Sequence, residues 1–464
     1  MFQQRKSRQG VLVGIGAAAL FSLALAQQAV RDAPLDSIRL QELHEKVSYL
    51  ASPQMKGRGN GSPELRLAAE YIASQFQKNG IRAAGDSHFQ DFEMFTARLG
   101  PGNELVVDGR SYVLGADFAP HYLSPTGQVR APLAFVGYGV SAPHLGFDEL
   151  AGADLKGRIV VAIDRNPRSA DPSSPFNRIH ASDFNSVNTK ARLVHDKGAL
   201  GLIIVQDPDG WNYSIPELAE TFDPRYSRRL VPMGSVSSSV NPKLPVVAVS
   251  WEAGRSIVSG LARLKQRIDE TLKPETMEIA AQATLRVDVA RTTFATRNVV
   301  GLIEGSDSKL RDEVLVIGAH YDHDGESDGQ VWPGADDNAS GTAALLELAE
   351  AFGNGRTAPR RSIVLAAFAG EEKGQIGSEH FVTHSRFPVG RTVGMIQMDM
   401  IGRNEEHGAN PRQGIERETS ASNANSVNVI GSTFSSDMRR YIEEANRPVS
   451  LQLKFRYDHT PEHL

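Results

Sequence analysis

Four groups of side chains able to bind a metal lie between Val314 and Asp399: His320 with Asp322, Asp336 with Asp337, Glu371 with Glu372, and Asp399. Imidazole and carboxylate without cysteine suit zinc in a catalytic site, or manganese and cobalt less selectively. His320, followed two residues on by Asp322, offers a ligand and a carboxylate able to hold its tautomer. Adjacent Glu371 and Glu372 can divide labour, one binding metal while the other takes a proton from a water that the metal activates. Each signal alone has an ordinary explanation. His-x-Asp can be a surface pair, Asp and Asn are common N-caps, and paired glutamates are usually solvated. Electrostatics decides what their convergence would mean. If Asp337, Glu371, Glu372 and Asp399 meet, each close pair repels by roughly 4 kcal/mol at an effective dielectric near 20. Without cations such a cluster raises its pKa values or splays apart, and divalent ions remove the conflict.

The elements that would position these groups are legible. Val314–Ala319, Ile363–Phe368 and Val393–Met398 have the length and β-branched content of buried parallel strands. Each is followed at once by candidate ligands. Asp336-Asp337-Asn338-Ala339-Ser340-Gly341 opens a helix whose apolar positions Leu345, Leu348, Ala349 and Phe352 keep helical spacing. In an open α/β sheet, ligands bind outside the carboxyl ends of the strands. Every candidate ligand falls at that edge, so the groups read as one site.

The chain of 464 residues exceeds one typical domain, so two are expected. A net charge of −5 gives no reason to expect nucleic acid or an anionic membrane as a partner. Arg5, Lys6 and Arg8, the apolar run Val11 to Leu23, and Ala24-Leu25-Ala26 form a secretory signal over residues 1–26. The apolar run is short for a membrane span, so stable membrane insertion after cleavage is not expected. The expected location is periplasmic or secreted, and with no cysteine the core must supply the stability.

Leu40 to Leu50 reads as an amphipathic helix. The turn Lys56-Gly57-Arg58-Gly59-Asn60-Gly61 follows, then a helix capped by Ser62-Pro63 with Leu65, Ala68, Ala69, Ile72 and Phe76 as its buried stripe. The turn reads as a connection between helices, with contact to a ligand as the alternative. From Ala131 the texture changes to strands at Leu133–Val140, Arg158–Ile163 and Leu202–Val205 with a short helix over Lys190–Lys197. Polar, Pro-rich loops separate them, and His144, His180 and His195 are scattered rather than clustered. Residues 131–264 read as a module inserted between 37–130 and 265–464, and Asn298–Ile303 returns the chain to the main sheet.

GAHYDH, GADDNASG, GEEKGQIGS and MDMIGRN, in this order, resemble the co-catalytic zinc aminopeptidases of metallopeptidase family 28. YLASPQMKGRGNGSPELRLAAEYIASQF is similar to that family's amino-terminal region. VGYGVSAPHLGFDELAGADLKGRIVVAI with KGALGLIIV resembles a protease-associated domain. The resemblance implies an α/β, mixed-sheet, three-layer zinc-exopeptidase fold with an inserted β-rich module. It implies two zinc ions, His320 and Asp399 on the first, Asp337 bridging, Glu372 on the second, and Glu371 as general base. The peptide bond after the bridging acid is often cis in the family. The substrates implied are peptides with a free amino terminus. The family's last ligand is a histidine in a segment similar to YHTP. His459 stands in such a segment but ahead of the family's closing strands, so a missing carboxyl-terminal end and an absent sixth ligand are expected. Within the same fold, a carboxypeptidase or glutaminyl cyclase is the alternative; outside catalysis, a binding or scaffold protein.

Overall fold

The computed structural model describes residues 37–455 except 172, 178–183, 185, 211–212, 223–231, 239–240, 328, 354–357, 405, 407, 409–416 and 433–434. The signal-like segment 1–26, His180 and His459 lie outside the described residues. The chain divides into two compact units. The first runs to Phe92 and resumes over Thr296–Glu326 and Val331–Gly402; the second takes Glu93–Ala295, Ser327–Gln330 and Arg403 onward. No helix among the described residues is long and apolar enough to cross a membrane.

In the first unit, α1 (Leu40–Leu50) and α2 (Pro63–Lys78) form where apolar periodicity predicts them. The Ser62 hydroxyl accepts from the Leu65 N–H at 3.1 Å, capping α2 and satisfying one of its orphan donors. The buried residues of α2 are Leu65, Ala68, Ala69, Ile72 and Phe76, the stripe predicted from spacing. Next come β1 (Arg82–Ala83), β2 (Val289–Ile303, its second half in this unit), β3 (Val314–His320), α3 (Gly341–Gly353), β4 (Ser362–Phe368), α4 (Ile376–Thr383) and β5 (Thr392–Gln397). The sheet order in this unit runs from Phe89–Leu99 through β2, β4 and β3 to β5, with β1 pairing β2 off this path. It is mixed: β2 runs antiparallel to β1 and β4, while β3 is parallel to both β4 and β5.

Both faces of the sheet centre are covered. Val316, Val364, Ala366 and Phe368 share a cluster with Phe381 of α4, whose ring meets Phe368 edge-on at 5.6 Å. The alternate residues Ile363, Leu365 and Ala367 are buried as well, as β-branched and small residues in a doubly covered sheet should be. Helix α3 packs on β3 and β4, and α1 and α2 pack on α3. A buried ion pair between Lys46 and Glu347 links α1 to α3. The expectation of a buried third strand needs correction. Among the described residues β5 pairs with β3 alone and forms the sheet edge, so Val393, Met395 and Ile396 are 51%, 45% and 43% exposed.

The second unit has its own eight-stranded sheet, ordered Arg110–Ser111, Glu104–Val107, Met277–Val287, Gly127–Phe135, Ile159–Ile163, Gly201–Val205, Val246–Val249, Phe118–Pro120. Its boundaries differ from the predicted 131–264. Met277–Val287 pairs antiparallel with both Gly127–Phe135 and Glu104–Val107, so strands from beyond each predicted boundary complete this sheet. The described residues from Arg403 onward also group with this unit rather than with the metal-site part.

Candidate metal centre

Strand register brings the candidate ligands to one edge. His320 pairs with Phe368, and Gly318 with Gln397, which sets Asp399 level with His320 across β3 and β5. The Thr342 hydroxyl at the start of α3 donates to the His320 carbonyl at 2.8 Å and ties helix to strand end. Asp336 and Asp337 sit in a wide turn, Ala335–Ser340, that precedes α3. The helix cap is Asn338, not an aspartate. Its Oδ1 accepts from the Gly341 N–H at 2.9 Å, and its Nδ2 donates to the Met398 carbonyl at 2.9 Å, next to Asp399. The Asp337–Asn338 peptide bond is cis. Gly334 opens the turn with φ of 58°, and a Cβ there would stand 2.6 Å from the His323 ring, so only glycine fits.

Two groups of ligand atoms result, His320–Asp337–Asp399 and His323–Asp337–Glu372, each with all its atoms within 4.8 Å of one another. His320 Nε2 lies 3.2 Å from Asp337 Oδ1 and 3.3 Å from Asp399 Oδ1. His323 Nδ1 lies 2.6 Å from Glu372 Oε1 and 3.9 Å from Asp337 Oδ1. Asp337 is common to both groups. Asp336 instead accepts from the Gly402 N–H at 2.8 Å and fixes the loop after Asp399.

His323 is the residue that sequence reasoning missed. The second histidine of GAHYDH was the available signal, but three residues past His320 its direction depends on the turn rather than on strand alternation. Asp322 differs from expectation too. His320 Nδ1 is 3.1 Å from the Asp322 main-chain carbonyl and 3.8 Å from its carboxylate, so the main chain holds the tautomer. The buried Asp322 carboxylate stays at ion-pair distance from that ring nitrogen, and its oxygens accept from the N–H groups of Glu371 at 3.1 Å and Glu372 at 3.3 Å. It aims the glutamate pair.

The donor chemistry fits divalent cations. Burial alone would lower the pKa of His320, but hydrogen bonds to Asp337 and Asp399 and the charge of Asp322 outweigh it and push it up to about 11. A proton on His320 thus stands in for a cation among carboxylates. Burial raises Glu371 to about 7; the His320 charge opposes this, and Asp322, Glu372 and Asp399 add to it. Burial would raise Asp337 as well, yet the contacts with His320 and the nearby His323 and Arg58 charges win and lower it.

The sign for metal binding follows. His320, raised in the fold, stabilises the metal-free protein below its unfolded pKa, and that contribution is lost as pH rises through about 11. A metal must displace this proton. Zinc affinity is therefore expected to rise about tenfold per pH unit per displaced proton between about pH 6 and 8. Competition titration with a chromophoric chelator checks this, and a flat profile would mean that His320 is neutral without metal.

Fold and site together define an α/β protein with a histidine–carboxylate centre suited to divalent cations. Residues 298–461 match the profile of Peptidase family M28. It is 36% identical over 134 residues to a probable zinc metalloprotease of Leptosphaeria maculans, covering 27% of this chain and 30% of that one. It is 32% identical over 179 residues to Aminopeptidase YwaD of Bacillus subtilis, covering 38% of this chain and 33% of that one. The matches thus span about a third of these relatives' length. Among solved structures, an aminopeptidase from Aneurinibacillus sp. strain AM-1 aligns over 79% of this chain and 71% of its own, with 23% identity and a TM-score of 0.43.

Proposed function

We propose that the protein is a zinc-dependent aminopeptidase that removes amino-terminal residues from peptides with a two-zinc centre. The observation that carries this reading is Asp337 shared between two histidine–carboxylate groups, with Glu371 beside them. His320, Asp337 and Asp399 would hold one ion, and His323, Asp337 and Glu372 the other. The chemistry that bound zinc supplies is Lewis acidity toward a peptide carbonyl and toward water. Glu371 has Oε2 at 3.9 Å from His320 Nε2 and its main-chain N–H anchored on Asp322. A carboxyl group held near neutrality can take a proton from the attacking water and deliver it to the leaving amine. Asp337, Glu371, Glu372 and Asp399 give the centre an acidic character suited to a protonated amino terminus. The signal-like residues 1–26 support export to the periplasm or medium. The second unit is read as a protease-associated module.

The test is hydrolysis of aminoacyl reporter substrates by the purified protein with zinc present. A strong chelator should abolish turnover and zinc should restore it. Acetylating the substrate's amino group should also abolish it. Release of residues from the carboxyl end of a blocked peptide, or cyclisation of amino-terminal glutamine, would replace this reading with a carboxypeptidase or a glutaminyl cyclase. Turnover surviving complete metal removal would overturn it.

A further inference from the structure

Arg58 is fully buried, and its guanidinium spends its donors on main-chain carbonyls of three separate segments. Nε donates to the Tyr321 carbonyl at 2.8 Å, between His320 and Asp322. Nη1 donates to the Pro333 carbonyl at 2.9 Å and Nη2 to the Gly334 carbonyl at 2.8 Å, immediately before the turn that carries Asp337. Nη1 also donates to the carbonyl of Leu50, where α1 ends. Its own carbonyl accepts from the His323 N–H at 3.2 Å. Two residues on, Asn60 Nδ2 donates to Asp322 Oδ2 at 2.7 Å. The approach is close enough to exclude a side chain at Gly57, where a Cβ would stand 2.1 Å from the Trp332 carbonyl oxygen.

A buried guanidinium is expensive unless its planar fork is fully used. Here the fork bridges the segment bearing both histidines and the segment bearing the shared aspartate. Burial lowers its pKa to about 10, with Asp322, Asp337 and Glu372 opposing, so it stays charged at neutral pH. A lysine would keep the charge but could not span both segments, having one nitrogen.

We propose that Arg58 is a positioning residue of the metal centre, setting the distance between His320 and His323 on one side and Asp337 on the other. The proposal rests on the two-cation reading above. The φ of 49° at Arg58 is one that glycine adopts freely, so Arg58→Gly removes the fork without straining the backbone. The experiment compares zinc affinity and the visible spectrum of the cobalt-loaded protein for the parent, Arg58→Gly and Arg58→Lys, with circular dichroism as the check on folding. Arg58→Gly is expected to bind zinc about 10–100-fold more weakly, the range for losing a group that orients ligands. Its cobalt spectrum should shift, and free guanidinium, unlike equal sodium chloride, should reverse both changes. Arg58→Lys should keep a shifted spectrum. A folded Arg58→Gly with parent-like zinc affinity and spectrum overturns the proposal, as does guanidinium acting no differently from sodium chloride. If both variants unfold, Arg58 is a determinant of the fold and the proposal also fails. A parent protein that binds no zinc overturns the metal reading itself, and this proposal with it.

Discussion

Glu371→Gln is expected to retain its zinc and to turn over about 10²–10⁴ times more slowly, the usual contribution of a general base. The substitution leaves shape nearly unchanged, and the contact that anchors residue 371 to Asp322 runs through its main-chain N–H, which glutamine keeps. What it removes is the ability to take up and release a proton. The pH profile supplies a second readout. Glu371 is raised to about 7, mainly by burial, so the parent's activity should fall on the acid side as the base is protonated. Bound cations favour the carboxylate, so that limb should lie below about pH 7 in the loaded enzyme. It should be missing in Glu371→Gln. Glu372→Gln should behave differently, since Glu372 Oε1 is the group 2.6 Å from His323 Nδ1: it should weaken metal binding first and lower activity as a consequence. Metal analysis beside steady-state kinetics separates the two. If Glu371→Gln lost zinc while Glu372→Gln kept it, the roles within the pair would be reversed.

The parts of this centre visible in the sequence are those governed by local periodicity. β3, β4 and β5 begin and end within a residue or two of the apolar runs that predicted them, because four to eight consecutive apolar residues have few ways to be buried. Strand ends then locate His320, Asp399 and the glutamate pair without knowledge of side-chain packing. The exposure of β5 was not visible, because burial depends on what lies beside a strand and not on its own composition. Arg58 was not visible as a structural hub for a similar reason. Its partners are carbonyl oxygens of Leu50, Tyr321, Pro333 and Gly334, which every residue has, and no charge pattern in the sequence marks them. The second unit's limits escaped because the pairing of Met277–Val287 with Glu104–Val107 spans a long stretch of chain, beyond any local signal. Asp322 shows a finer failure. Spacing associated it with His320, but two main-chain N–H groups compete for its carboxylate and win.

Asp337→Ala is expected to have the most severe effect on metal content, because it removes the one carboxylate common to both groups. His320 would be left with Asp399, and His323 with Glu372, two protein ligands each, whereas catalytic zinc sites ordinarily keep three. Both affinities should therefore drop by more than the roughly 10–100-fold that losing an orienting group costs. Zinc should be lost from the purified protein and activity with it. His323→Ala provides the contrast, since it touches only the second group and should release one ion while the other stays on His320, Asp337 and Asp399. The metal-free fold should tolerate Asp337→Ala less well than the metal argument alone suggests. Asp337 Oδ1 is 3.2 Å from His320 Nε2, and without it that imidazole loses the stronger of the hydrogen bonds that keep it protonated. The His320 pKa should then fall, and the stability it contributes should disappear at a lower pH than in the parent, shifting the alkaline unfolding limb of the metal-free protein toward neutrality. Zinc stoichiometry and thermal unfolding across pH test the two halves separately. An Asp337→Ala protein that still holds one equivalent of zinc on His320 and Asp399 would show that Asp337 serves a single ion, and the shared-ligand arrangement would have to be abandoned.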